Sequence, residues 1–306
     1  MQVVWDREQL DEARLAQLEP SERARVASIQ RAREFGESLG LASSTSFQHL
    51  LDRDDDGIVR VVVAAPADRL EPVTWWFPIV GRISYRGYFN PARADDFAAG
   101  LADQGYDTYV RAAPLYSTLG WFDDPIPRAM LAWSEIDVVD TALHELVHET
   151  VFVSGDPNYN EAIATFIGQE ATLRFFADEP EVRALALRIF ADQRRFAELL
   201  DELSAELGPI YAGVGSPDEA RRAREPVFAR FQGDRFRDRG WQTKRYDGFL
   251  EIPLSNAYLV AHQTYLGELR CFAAWLARLD ADLVGFIAAQ KEDPGARPPD
   301  LPECAS

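Results

Sequence analysis

Cysteine is almost absent from this sequence: Cys271 and Cys304 are the only two in 306 residues. Their separation rules out a CxxC-type metal site, and one pair does not report the redox compartment. Cys271 lies in the apolar run LRCFAAWLARL, where the expectation is a buried free thiol. Histidine is scarce too, with four in the chain. Long apolar runs are missing, since no segment reaches the roughly 18 apolar residues that suggest a membrane span. The opening residues, MQVVWDREQLDEARL, show no basic region followed by an apolar stretch, so no signal peptide is expected. Positive charge is in deficit, with 32 Lys plus Arg against 50 Asp plus Glu and a formal net charge of -18. A chain so acidic repels phosphate backbones and anionic lipid surfaces, which argues against nucleic acid as a partner.

What is present points to an ordinary globular protein. The 47% hydrophobic content supports a large core, in one domain or in two interleaved subdomains. Residues 7–39 carry apolar positions at helical spacing and predict two helices, broken at Pro20 with Ser21 as the new N-cap. From Gly57 to Phe89 the runs IVRVVVAA, VTWWFPIV and ISYRGYF predict a small sheet of at least three strands. A helix from Pro91 to Asp103 and a strand from Tyr106 to Ala113 follow, and the aromatic, glycine-punctuated stretch from Pro114 to Pro127 reads as a binding loop. After Ile136 the pattern is helical with short interruptions. The fold class is therefore α+β and mostly helical. The expected organisation is a helical lead-in at 1–56, a small sheet with one helix and a substrate-binding loop at 57–135, a helical half at 136–290 that carries the metal site, and a disordered tail at 291–306, too poor in apolar residues to pack.

The chemistry concentrates in IDVVDTALHELVHETVFV. His144 and His148 stand four residues apart, so a helix places both imidazoles on one face, where their nitrogens can reach one ion at about 2.1 Å. Glu145 then projects beside the metal, within reach of a bound water. Glu149, directly after the second histidine, points about 100° away and is a decoy. The chain turns through SGDPNY and starts a second helix at NEAIATFIGQEATLRFF, with Asn160 as an N-cap or first-turn residue and Glu161 in the first turn. A two-helix hairpin would carry that carboxylate back to the histidines and complete three protein ligands. Glu170 reads as a surface carboxylate, and His49 as a surface or capping histidine.

The likeness to known sequences extends well beyond HExxH. EPVTWWFP at Glu71 to Pro78, YRGYF at Tyr85 to Phe89, YSTLGWFDDP at Tyr116 to Pro125, HELVHET at His144 to Thr150, NEAIATFIG at Asn160 to Gly168 and LSNAYLVAHQTY at Leu254 to Tyr265 together resemble a bacterial family of predicted zinc aminopeptidases. The resemblance implies a zincin-like fold of the gluzincin type, one zinc ion per chain, and a third ligand glutamate on the next helix. The family often carries cysteines where this chain has Trp76 and Arg82, so a disulfide implied there is absent. The first asparagine of its paired-asparagine motif is Ser255 here, which leaves Asn256. Thr165, and not Asp, stands four residues after Glu161, so the partner orienting a zinc histidine comes from a backbone carbonyl or Asp140. A hydrophobic leader common in the family is not seen. The expected location is thus the cell envelope or periplasm if a leader has been removed, and otherwise the cytoplasm.

The reading that follows is zinc-dependent hydrolysis of peptide bonds, removing N-terminal residues, with Glu145 as general base. The oxyanion needs a second electrophile, and the candidates are Tyr258, His262 and Tyr265, with Tyr265 favoured by the resemblance. Tyr116, Ser117, Arg86 and Asn256 are candidate substrate contacts, Asp123 and Asp124 are candidates to hold the free amine, and YVRAAPLYSTLG is the expected peptide-binding edge. A zinc endopeptidase and a non-catalytic zinc-containing peptide-binding protein are the alternatives.

Overall fold

The computed structural model describes residues 7–51, 59–77, 81–113, 124–262, 268–301 and 304. The first half of the chain forms β1 (Arg7–Gln9), α1 (Glu12–Gln17), α2 (Pro20–Ser38), β2 (His49–Leu51), β3 (Val59–Pro66), β4 (Trp75–Phe77), β5 (Gly81–Ile83), β6 (Arg86–Tyr88), α3 (Pro91–Ala102), β7 (Tyr106–Ala113) and β8 (Ile126–Pro127). Helices follow: α4 (Glu135–Thr150), α5 (Pro157–Phe175), α6 (Pro180–Ala212), α7 (Pro217–Arg230), α8 (Asn256–His262), α9 (Leu269–Arg278) and α10 (Leu283–Glu292). With 61% of residues helical and the strands short, the protein is mostly helical α+β, as its sequence pattern predicts. Two compact units form, one from residues 1–59, 113–186 and 267–306, the other from residues 60–112 and 187–266.

In the first unit, β2 pairs antiparallel with β1 and parallel with β8, a sheet the sequence pattern did not announce because its strands are only two or three residues long. His49 belongs to β2, opposite Gln9. The break before α2 falls where expected, but Pro20 is itself the first helical residue, and the cap is made at Glu19, whose N–H donates to the Glu22 carboxylate at 2.9 Å. α2 supports α4. At Gly36 an added Cβ would lie 2.9 Å from Leu146 Cδ1, so the missing side chain lets the two helices approach. Ser28 and Arg31 of α2 both donate to Glu135 at the start of α4.

α5 is buried nearly all round, through Tyr159, Ala162, Ile163, Phe166, Ile167 and Ala171 among others, which marks a central helix. Phe166 packs against Phe272 of α9 and Phe286 of α10, with ring centroids 5.7 and 5.4 Å apart. The free thiol expected at Cys271 is corrected here: Cys271 is bonded to Cys304. The C-terminal stretch is poor in apolar residues, as its composition shows, yet polar ties anchor it. Arg297 donates to both oxygens of Glu268 at 2.8 and 2.6 Å and lies over the Tyr159 ring, and Lys291 donates to the Gly40 carbonyl at 2.9 Å.

In the second unit, β3 is the middle strand of a sheet ordered β6-β3-β7. Val62 and Ala64 of β3 pack against Ala94, Ala98 and Leu101 of α3. β4 and β5 form a separate two-stranded ribbon in which Trp76 stands directly opposite Arg82. The larger apolar cluster gathers Phe196, Leu199, Leu203, Phe228, Phe231, Phe249 and Tyr258 from α6, α7, α8 and the segments between them. Among the described residues, no helix is long and apolar enough to cross a membrane.

Candidate metal centre

The site is built on the α4–α5 hairpin. α4 starts where the Ser134 hydroxyl accepts the Asp137 N–H, and buries Ile136, Val139, Leu143, Leu146 and Val147 along one side. His148 is buried and His144 is partly open. After Val151 the chain turns through Gly155, whose φ of +84° is the left-handed conformation glycine adopts without steric cost. Asp156 caps α5 by accepting the Tyr159 N–H at 3.0 Å, and Pro157 takes the first helical position.

Asn160 plays a part that its sequence position does not announce. It is not the cap: its side-chain oxygen accepts the Val153 N–H and its amide donates to the Val153 carbonyl, both at 2.8 Å. The clamp ties the exit of α4 to the residue just before Glu161. The available sequence signal was an asparagine inside a helix, where this residue type is a poor helix former. Gly168 sets the helix approach two turns later. A Cβ there would lie 3.3 Å from both Cα and N of His144, so the absent side chain lets α5 come this close to α4 at His144.

The hairpin brings three ligand atoms together. The two Nε2 atoms of His144 and His148 are 3.1 Å apart, and Oε2 of Glu161 is 3.4 Å from the first and 3.7 Å from the second. Four-coordinate tetrahedral zinc with bonds of about 2.0–2.1 Å has ligand atoms roughly 3.3 Å apart. The residues therefore fit a small tetrahedral cation without rearrangement, and they form a candidate metal site. Glu149 contributes no atom to it.

The electrostatics favour a cation in the same place. Burial works against a charged His144, but the hydrogen bond to Glu161 and the charges of Glu145, Glu161 and Asp140 outweigh it and raise the imidazole to about 9. Burial also disfavours ionised Glu161, and the two imidazoles more than compensate, drawing the carboxyl far below its usual range. Without metal the cluster holds a proton, which a bound cation would displace. Asp140, one turn before His144, acts on it through its charge and accepts from the Thr172 hydroxyl at 3.5 Å. Beside the cluster, Oε2 of Glu145 is buried with no hydrogen-bond partner among the described residues, as are Nδ1 of His148 and Oε1 of Glu149. Orphans of this kind cost about 1–3 kcal/mol each.

The remaining sequence candidates divide clearly. Tyr265, Tyr116, Ser117 and Asp123 lie outside the described residues. Asp124 is buried in the first unit, where its N–H donates to the Ser46 hydroxyl and its carbonyl accepts the Phe47 N–H. Arg86 is exposed and lies over the rings of Tyr88 and Phe97, at 5.7 and 5.0 Å. Asn256, expected to touch substrate, is fully buried in the second unit. Its amide donates to the carbonyls of Pro66 and Arg69 and its oxygen accepts the Tyr211 hydroxyl, so a substrate would find neither amide donor free. Tyr258 is likewise buried, and its ring stacks on His262 with centroids 4.2 Å apart. His262 has Nδ1 2.8 Å from the Tyr258 carbonyl, which can only accept, so Nδ1 carries the proton and a neutral ring presents a lone pair at Nε2.

A family model described as "Putative aminopeptidase" matches residues 1–294, and the chain belongs to that family. No curated protein and no solved structure matches it.

Proposed function

We propose that this family member is a zinc-dependent peptidase with a zincin-like, gluzincin-type centre, and that it removes N-terminal residues from peptides. His144, His148 and Glu161 would hold the ion. The observation that carries the reading is the convergence of their three ligand atoms at the spacing of a tetrahedral zinc site. When bound, zinc supplies Lewis acidity for the scissile carbonyl and brings the pKa of a water towards 7. Glu145 supplies the base. Its buried, unpartnered oxygen is suited to take the proton of the attacking water, and the same carboxyl then delivers that proton to the leaving amine. A hydrogen bond from water or substrate would also satisfy an atom that the fold leaves without one.

A donor is needed for the oxyanion, and the resemblance favours the Tyr265 phenol. Neutral His262 serves that purpose poorly, since its open nitrogen is an acceptor. The exopeptidase mode rests on the family. Of the expected peptide-binding edge, the described part is β7, an outer strand of its sheet among the described residues.

Metal analysis with hydrolysis assays tests the proposal. Wild type should hold one zinc per chain and cleave aminoacyl reporters in preference to N-blocked peptides. Glu145→Gln should keep the metal and lose turnover by several orders of magnitude. Zinc without turnover in wild type would favour a peptide-binding protein, and cleavage of N-blocked peptides an endopeptidase.

A further inference from the structure

Along β7 the side chains of Asp107, Tyr109 and Arg111 share one face, because alternate residues of a strand point the same way. The first is engaged: Asp107 pairs with Arg224 at 2.6 Å and Arg221 at 3.7 Å, and accepts the Asn256 N–H at 3.0 Å. Tyr109 leans on the rings of Tyr258 and His262, at centroid distances of 5.0 and 5.6 Å. Arg111, the third, is half-buried and has no ion-pair partner among the described residues, although acidic residues outnumber basic ones 50 to 32 in the chain. Its Nε is buried without a hydrogen bond. The hydroxyls of Tyr109 and Tyr258 make no hydrogen bond among the described residues either. His262, with its proton fixed on Nδ1, offers an acceptor at Nε2.

A half-buried guanidinium is costly unless something neutralises it. Here the neighbours add two phenol donors and one lone pair. We propose that Arg111, with Tyr109, Tyr258 and His262, forms a binding site for a carboxylate in the second unit. The lone pair of His262 narrows the choice of ligand. The last residue of a peptide carries an N–H beside its carboxylate, so it can place the carboxylate on Arg111 and donate the N–H to Nε2. Burial, and to a lesser degree the positive charge of Arg111, disfavours a protonated His262. Identifying the ligand as a peptide rests on the peptidase reading, whereas the carboxylate site does not.

The test measures binding to Glu145→Gln protein, in which turnover is blocked. Three probes are titrated by calorimetry: Ala-Ala-Ala, its C-terminal amide, and Ala-Glu-Ala amide. The His262 ring resonance is followed by NMR in parallel. The free acid should bind roughly ten- to a hundredfold more tightly than its amide, the range of one charge-assisted pair, and should move the His262 signal. Arg111→Gln should erase the difference, and Arg111→Lys should keep part of it. Binding of the glutamate-containing amide as tightly as the free acid would assign the carboxylate to a side chain. Equal affinity for acid and amide, or an acid preference that survives Arg111→Gln, overturns the site. If Arg111→Gln does not fold, the wild-type acid and amide comparison with Arg111→Lys still decides. An acid preference in a protein that never hydrolyses peptides would sink the peptidase reading and leave this site standing.

Discussion

Gly168→Ala places a single methyl group where α5 crosses α4 at His144. Its Cβ would sit 3.3 Å from the Cα and N of His144 and 3.4 Å from its Cβ, so the helices must separate by a few tenths of an ångström. Two effects oppose each other. Alanine stabilises a helix interior over glycine by about 1 kcal/mol, while overpacking costs about 1–3 kcal/mol. The net expectation is a loss of stability of up to about 2 kcal/mol. The larger effect should fall on the metal, because the widened hairpin carries Glu161 away from the histidines, and ligand distances tolerate only about 0.2 Å. Zinc affinity should fall at least about tenfold, judged from disturbances just outside the ligands of metal sites. The same substitution at Gly100, in α3, is the control, since a Cβ there meets nothing within 4 Å. That variant should gain about 0.5–1 kcal/mol and leave zinc binding unchanged. Urea unfolding and chelator competition on both variants decide the matter. If Gly168→Ala gains stability as Gly100→Ala does and keeps wild-type zinc affinity, the close crossing does not set the ligand geometry.

His144→Ala or His148→Ala should abolish zinc binding and Glu161→Gln should weaken it, while Glu149→Gln should leave it intact; elemental analysis of the purified variants reads the contrast, and full zinc in either histidine variant refutes the site. Asn160→Ala strands the N–H of Val153, whose carbonyl keeps the Asp156 N–H at 3.4 Å, and should cost about 1–3 kcal/mol in urea unfolding, so a change below about 0.5 kcal/mol would show that the clamp contributes little. In metal-free protein His144 is held up at about 9 against an ordinary value of 6.5, so the fold binds its proton more tightly than the unfolded chain does. That stabilisation is complete below about pH 6.5 and is lost as pH rises through about 9, so metal-free stability should fall across this window. His144→Gln should flatten the slope, and identical slopes in the two proteins would refute the assignment.

Much of the candidate site was legible because it depends on local rules. The four-residue spacing of His144 and His148 decides their common face once a helix forms, and the apolar positions of α4 with Ser134 ahead of them make it form. Gly155, Asp156 and Pro157 announce the turn, but α5 starts at Pro157 with Asp156 as its cap, three residues before the expected start at Asn160, so Glu161 lies beyond the first turn. The mostly helical α+β class follows from the same periodicities.

What depended on distant partners could not be read along the chain. Cys271 looked like a packed thiol because its neighbours are apolar, and its bond to Cys304 appears only once the C-terminal stretch is held by Arg297 and Lys291. Asn256 looked available for substrate, yet folding surrounds it with the carbonyls of Pro66 and Arg69 and the hydroxyl of Tyr211. Arg111 looked like any strand arginine. That it lacks an ion-pair partner among the described residues is a property of everything packed around it, and pattern reading works on neighbours in sequence. Sequence alone settled which side chains could share a helix face, since that follows from backbone geometry within a few residues, while the caps of α2 and α5 fell a few residues before the expected ones. Tertiary structure alone decided how closely α5 crosses α4 at Gly168, and which polar groups are satisfied and which are left open, because hydrogen bonds and close contacts form between segments far apart in the chain.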